Sequence, residues 1–304
     1  MCLKEAGNYR WGVFSAVSAQ VLWGFFPVYF HFLKKVDAFE LVGHRAIWSF
    51  FWLAVLLCVG HLISTRSERP KLNEIRLVFK SPRLLASLAI AAVLIAINWL
   101  TFVWAVNHDH KIDASLGYYI CPQVIVLLGV VFLGERLRPM QWGAFVLVAV
   151  GVFWIARSSV SVPWVGLTVA FSFGFYGLIK KLVPVSSFVG LTFEMGGLLL
   201  PAIGFLLYRG WPLGETVIGQ PWWFSLLLVG TGAVTIVPLA FYATSLKHIP
   251  LSTVGLLQFI GPTIQFLIGV FVFHEPFDAS RLVGFAFVWV GVAMFMFMIG
   301  KKGR

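Results

Sequence analysis

The sequence predicts an all-α integral membrane protein of about ten transmembrane helices, arranged as two inverted five-helix repeats. Three observations carry that expectation: a composition too apolar for a water-covered surface, apolar runs of membrane-spanning length, and Gly, Pro and Glu recurring at a fixed spacing. Of the 304 residues, 60% are hydrophobic and 12% charged, with a mean hydropathy of +0.90. A soluble domain carries roughly 25% charged residues, and one with half that fraction would expose large apolar patches and aggregate. The surface hidden from water therefore faces lipid. A net charge of +11 would suggest nucleic acid in a soluble chain. Here the basic residues cluster between apolar runs, which is the pattern of membrane topology, so no nucleic-acid partner is expected.

A helix rises 1.5 Å per residue, so about 20 apolar residues cross the hydrocarbon. Such runs lie at 11–33, 40–64, 84–106, 113–134 and 140–156, and again at 163–179, 188–208, 222–245, 252–273 and 281–299. The first is too long for the apolar part of a signal peptide and lacks a cleavage site, so it is read as a span. The segment 65–83 is polar and basic, and is expected to be a solvated loop at the anionic inner leaflet. Lys and Arg set the orientation. With the N-terminus inside, sixteen of the 23 lie on the inner side and six outside (Lys34, Lys35, Lys111, Arg157, Arg209 and Arg281), which leaves only Arg45, within a span. Both termini are thus expected in the cytoplasm.

Pro122 and Pro262 are 140 residues apart, 262 minus 122, and the same shift places Gly129 on Gly269, Glu135 on Glu275 and Gly151 on Gly291. Identical valines would count for little in so apolar a chain, but four Gly, Pro and Glu coincidences within thirty residues count for more. The repeats are assigned to 1–157, which includes the basic loop 65–83, and to 158–304. Five spans is an odd number, so the second repeat enters the membrane inverted. Inverted repeats build many secondary transporters, with the substrate site near the midplane between the halves.

Ionisable groups inside spans are costly and usually face a cavity or a partner. Here they are His44, Arg45 and Glu194. Arg45 and Glu194 fall at equivalent repeat positions near opposite ends of their helices, about 14 Å apart in depth, so no direct ion pair is expected. Two roles are open to each: biasing a gate or binding charged substrate, or snorkelling to the nearer interface and bonding backbone carbonyls. A carboxylate has little reach for the second, which favours function for Glu194. His44 is better explained by packing.

The uncharged polar residues fall on helix faces. Gln258, Gly261, Pro262, Gln265 and Gly269 share one side of the ninth span, and Thr231, Thr235, Pro238 and Tyr242 one side of the eighth. Asn98, Trp99, Tyr118 and Gln123 add polar and aromatic groups from the third and fourth. Amides also glue helices together, so packing competes with cavity lining. Asn98, Trp99, Tyr118, Thr235, Tyr242 and Gln258 are assigned to the cavity. Pro122 and Pro262 each remove a backbone donor and are assigned as hinges. Glu135 and Glu275 end the fourth and ninth spans, where a carboxylate suits the N-terminus of the helix that follows. The cysteines suggest no disulfide framework. His274-Glu275 lacks the second histidine of a zinc protease helix, and no Walker lysine loop is present. Neither an enzyme, a metal nor a cofactor is expected.

His44-Arg45-Ala46-Ile47-Trp48-Ser49, Asn98-Trp99-Leu100 with Trp104-Ala105-Val106-Asn107, Ala114-Ser115-Leu116-Gly117-Tyr118, Gly134-Glu135-Arg136, Phe175-Tyr176-Gly177 and Gln258-Phe259-Ile260-Gly261-Pro262 together resemble the RarD family. These chloramphenicol-sensitivity proteins belong to the EamA group of the drug/metabolite transporter superfamily. The resemblance covers nearly the whole chain. It implies an inner-membrane permease whose cavity is lined mainly by the first, third, fourth, sixth, eighth and ninth helices. Cys121 departs from the small polar residue, such as Asn, expected before the proline. The implied function is secondary transport, by alternating access, of a small organic solute: a metabolite, amino acid or drug-like compound, exported from the cell. Its partners would be that solute and membrane lipid. The competing expectation is a membrane sensor or biogenesis factor that uses the fold without moving solute.

Overall fold

Helices α1 (Cys2–Gly24) and α2 (Phe26–His31) make the first span, and α3 (Ala38–Ile63) the second. After α4 (Pro70–Lys80) come α5 (Pro82–Asn107), α6 (Lys111–Leu133), α7 (Pro139–Ala156), α8 (Trp164–Leu182), α9 (Ser187–Tyr208) and α10 (Trp222–His248). Helices α11 (Leu251–Leu257) and α12 (Ile260–Phe271) form the ninth span and α13 (Ala279–Lys302) the last. The computed structural model describes residues 2–63, 70–108, 111–156, 164–210, 220–274 and 279–302. Among them, nine spans are long and apolar enough to cross a membrane, and α13 carries a shorter apolar stretch at Leu282–Phe295. Large apolar side chains such as Val131, Phe153 and Leu200, each at least 70% exposed, cover the outside, as a lipid-facing surface requires.

Packing follows a two-fold exchange of the halves. The third span touches the sixth (α5 with α8), and the eighth touches the first (α10 with α1). The second packs on the eighth (α3 with α10), and the seventh on the third (α9 with α5). Three repeat pairs also meet directly: α3 with α9, α6 with α11, and α7 with α13. At the last of these crossings small residues set the distance. A Cβ on Gly151 would lie 2.6 Å from the Gly284 carbonyl oxygen, and one on Gly284 2.9 Å from that of Gly151. Without side chains at these points the two backbones meet directly.

Segment 65–83 is not simply a solvated loop. Its described part folds as α4, entered at Pro70, whose missing N–H costs nothing in a first turn. Ile75 and Val78, three residues apart, share a face. Val78 is fully buried against Leu88, Val183, Val185 and Val189, and Ile75 packs on the same cluster. The high charge of the segment masked this face in the sequence. The ninth span also differs from one continuous helix. It breaks at Gln258 and Phe259, one turn before Pro262, because the proline cannot donate to the Gln258 carbonyl and crowds it. Pro122, its repeat counterpart, lies inside an unbroken α6.

Candidate functional site

Between the halves lies a cavity of about 460 Å³, within the size range of small-ligand sites. Gln20 and Trp23 of α1, Phe26 and Phe30 of α2, and Leu41 and Arg45 of α3 form one wall. Asn98, Trp99 and Phe102 of α5, with Tyr118, Cys121 and Pro122 of α6, form another. The second half contributes Val169 and Phe173 of α8, Thr235 and Leu239 of α10, and Gln258, Gly261, Pro262 and Gln265 of the broken ninth span. All six spans expected to line it do so, and the second span joins them through Leu41 and Arg45.

Among the described residues Arg45 is the one charged side chain in the lining. It sits seven residues into α3, roughly 10 Å from the helix start. It does not snorkel to carbonyls. Its Nε donates to Thr235 Oγ1 at 3.0 Å, and its guanidinium carbon lies 4.5 Å from the centre of the Trp99 ring and 5.5 Å from that of Phe30. Thr235 is therefore the acceptor that brings the cation across from one half to the other. A charge at the centre of a span costs about 2.5–3.5 kcal/mol on insertion scales and less toward the end, where Arg45 lies; a hydroxyl and aromatic faces offset part of the cost.

Asn98 lies at the cavity wall and joins helices. Its Nδ2 donates to the Val169 carbonyl at 2.8 Å and to Ser172 Oγ at 3.2 Å, which ties α5 to α8. Gln265 donates to the Trp23 carbonyl at 3.0 Å, across the same cavity wall. Gln20 and Gln258 are 3% and 6% exposed, and Gln20 Nε2 and Gln258 Oε1 have no hydrogen-bond partner among the described residues. Cys121 is buried in the lining. Pro122 and Pro262 both reach the cavity surface.

Three expected site residues lie elsewhere. Tyr242 is fully buried behind the wall, its ring 5.6 Å from Trp23 and 5.1 Å from Phe173, so it backs the lining instead of reaching the cavity. His44 points away from Arg45, as adjacent residues on a helix do. It accepts from Trp48 Nε1 at 3.3 Å and lies 3.8 Å from Glu40. Glu194 is also fully buried and outside the cavity. It accepts from Lys180 Nζ at 2.7 Å and from the Tyr176 hydroxyl at 3.0 Å. Lys180 falls just beyond the apolar run 163–179, yet it occupies the last turn of α8 and is 3% exposed.

The helix ends on the Lys180 side are tied by charged groups. Lys181 Nζ donates to the Leu246 and Ile249 carbonyls, each at 2.8 Å, at the end of α10, and Lys247 Nζ donates to the Val183 carbonyl beyond α8. These cations meet the negative ends of two helix dipoles. Glu74 of α4 accepts from the Ser186 amide at 2.8 Å, at the start of α9. Glu135 caps a helix N-terminus, but not that of the helix that follows it. Its two oxygens accept from the Leu251 and Ser252 amides at 2.7 and 2.8 Å, so it caps α11 in the other half. The α6–α11 crossing is close enough for this because Gly129 leaves the carboxylate room: a Cβ there would lie 2.7 Å from Glu135 Oε2. Glu275 falls outside the described residues.

Residues 10–157 and 161–297 each match the model of the EamA-like transporter family. The chain belongs to that family. The relatives place it with the RarD proteins. It is 39% identical to Protein RarD of Escherichia coli (strain K12), over 96% of each chain. It is 42% identical to the "Uncharacterized transporter YojE" of Bacillus subtilis (strain 168), over 99% of this chain and 98% of that one. A 30% identity links it to the "Chloramphenicol-sensitive protein RarD" of Pseudomonas aeruginosa, over 93% and 92%. A solved crystal structure matches with a TM-score of 0.69 at 16% identity, over 94% of this chain and 98% of that one, which shows the shared fold.

The cavity thus gathers Asn98, Trp99, Tyr118, Thr235, Gln258 and Arg45 from five spans. Sequence reasoning missed Gln20, Trp23, Phe173 and Lys180. Glu194 offered a signal for Lys180, because a carboxylate inside a span calls for a nearby cation, and Lys180 stands one turn after Tyr176 on the neighbouring helix. Nothing in the local pattern marks Gln20 or Phe173, which become lining residues only where helices from both halves converge.

Proposed function

We propose that this chain is a secondary transporter of the inner membrane, with both termini cytoplasmic, that exports a small organic solute by alternating access of its central cavity. The observation that carries this is the cavity of about 460 Å³ lined from both halves, because relative motion of two similar units changes which side such a cavity meets. The lining reaches Phe30, Leu41 and Phe102, toward the end expected outside. The other end is tied across the halves by Glu135 on the α11 amides. That arrangement is read as an outward-facing state, and the passage to the inward-facing state requires this cap to open.

Reconstituted flux tests the proposal. Proteoliposomes loaded with unlabelled solute are given labelled amino acids, aromatic carboxylates or chloramphenicol, and counterflow is compared with protein-free liposomes. Accumulation of at least one solute, lost in Gln258→Leu or Asn98→Leu protein that still folds, supports transport. Binding of a solute without flux of any would replace it with the sensor role.

A further inference from the structure

We infer that the solute this cavity takes is an organic monoanion, a carboxylate joined to an apolar, ring-sized body. The inference rests on the cavity being the substrate site and adds the class of substrate.

Charge carries the first part. Arg45 brings a fixed positive charge to the cavity wall, and among the described residues no Asp or Glu lines that wall. Among the described residues Arg45 has a hydroxyl partner and aromatic neighbours but no carboxylate. The fold can supply a carboxylate where a buried cation serves structure, as it does for Lys180 with Glu194 at 2.7 Å. Arg45 is left without one at the place where solute would enter. Of its five N–H donors only the Nε–H is engaged, on Thr235. The two terminal amino groups remain, and this planar fork matches the two oxygens of a carboxylate. One cation balances one negative charge; a second would sit uncompensated among apolar walls.

The walls carry the second part. Trp23, Phe26, Phe30, Trp99 and Phe102 surround the space next to the cation, so the rest of the solute is apolar and suited to aromatic contact. Gln20 Nε2 and Gln258 Oε1, buried in the lining with no protein partner described, offer a donor and an acceptor to a polar substituent such as an amide. Among the described residues no lining carboxylate receives an ammonium group. A zwitterionic amino acid should therefore bind more weakly than its N-acylated form.

The test uses the full chain, purified in detergent, and measures heat of binding at fixed ionic strength. The probes are N-acetylphenylalanine, its neutral amide N-acetylphenylalaninamide, zwitterionic phenylalanine and cationic phenylalaninamide. The acid should bind at least tenfold more tightly than the amide, and phenylalanine should fall between the acid and the cation. Arg45→Gln should bring acid and amide to equal affinity. Arg45→Lys keeps the charge but loses the fork, and should retain part of the preference; it also serves where Arg45→Gln does not fold. Equal binding of acid and amide by the unaltered protein, tightest binding of the cation, or no binding of the acid at millimolar concentration would overturn the inference. An acid preference retained in folded Arg45→Gln would overturn it too. The transport proposal fails separately: acid bound through Arg45 without flux sinks transport alone, and flux of neutral or cationic solutes with no acid preference sinks only the monoanion.

Discussion

Replacing Lys180 with Met removes the cation from a carboxylate that has no access to water. Glu194 is fully buried, Lys180 lies 2.7 Å from it, and after the substitution only the Tyr176 hydroxyl still donates to it at 3.0 Å. Breaking a buried pair on one side costs about 3–5 kcal/mol, because the remaining charge is stranded, whereas replacing both partners with apolar groups of similar size is often neutral or stabilising. Lys180→Met should therefore lose about 3–5 kcal/mol, and Lys180→Met with Glu194→Met should regain most of it. A double-mutant cycle isolates the pair, with reversible unfolding in mixed micelles followed by tryptophan fluorescence. A loss below about 1 kcal/mol for Lys180→Met, the range of an exposed pair, would refute the picture of a dry ion pair. So would a double variant less stable than either single one.

Other perturbations test separate parts of the structure. Glu135→Gln weakens the acceptor of the Leu251 and Ser252 amides; it should cost about 1 kcal/mol as a lost cap and raise labelling of a cysteine placed near α11, and unchanged labelling would count against this contact as the inner closure. Gly232→Ala should destabilise by about 1–3 kcal/mol through overpacking, since its Cβ would lie 2.6 Å from the Trp48 carbonyl oxygen. Gly204→Ala, with nothing within 4 Å, serves as the control and should be neutral or stabilising by up to about 1 kcal/mol. A cysteine at exposed Asn73 of α4, in a chain without native cysteines, should react with an impermeant thiol reagent only from the cytoplasmic side, and labelling from outside would overturn the orientation.

The fold was largely legible because membrane solvation acts on each span separately. Every backbone group must be satisfied inside its own helix, so length and hydropathy suffice to find the spans. Pattern also showed the polar stripe of the ninth span, where Gln258, Gly261, Pro262 and Gln265 all reach the cavity. It served less well in the eighth: of Thr231, Thr235, Pro238 and Tyr242, only Thr235 is in the lining. In this helix both sides meet protein, so a polar residue on either side looks the same in sequence. Tyr242 and Thr235 differ only in which neighbour stands between them and the space.

Composition, hydropathic runs and the 140-residue recurrence determined by themselves that the chain crosses the membrane repeatedly in two related halves. They singled out Arg45 and Glu194 as unusual without distinguishing their fates. Tertiary structure alone decided those fates. Lys180 from the neighbouring helix neutralises Glu194 inside the protein, while Thr235 and Trp99 hold Arg45 at the cavity with its charge unmatched. The physical reason is that a span's cost in lipid depends on its own residues, but the partner of a charge is whichever side chain packing brings within a few ångströms. Residues 14 apart met in one case and 190 apart in the other, and no local pattern encodes either distance.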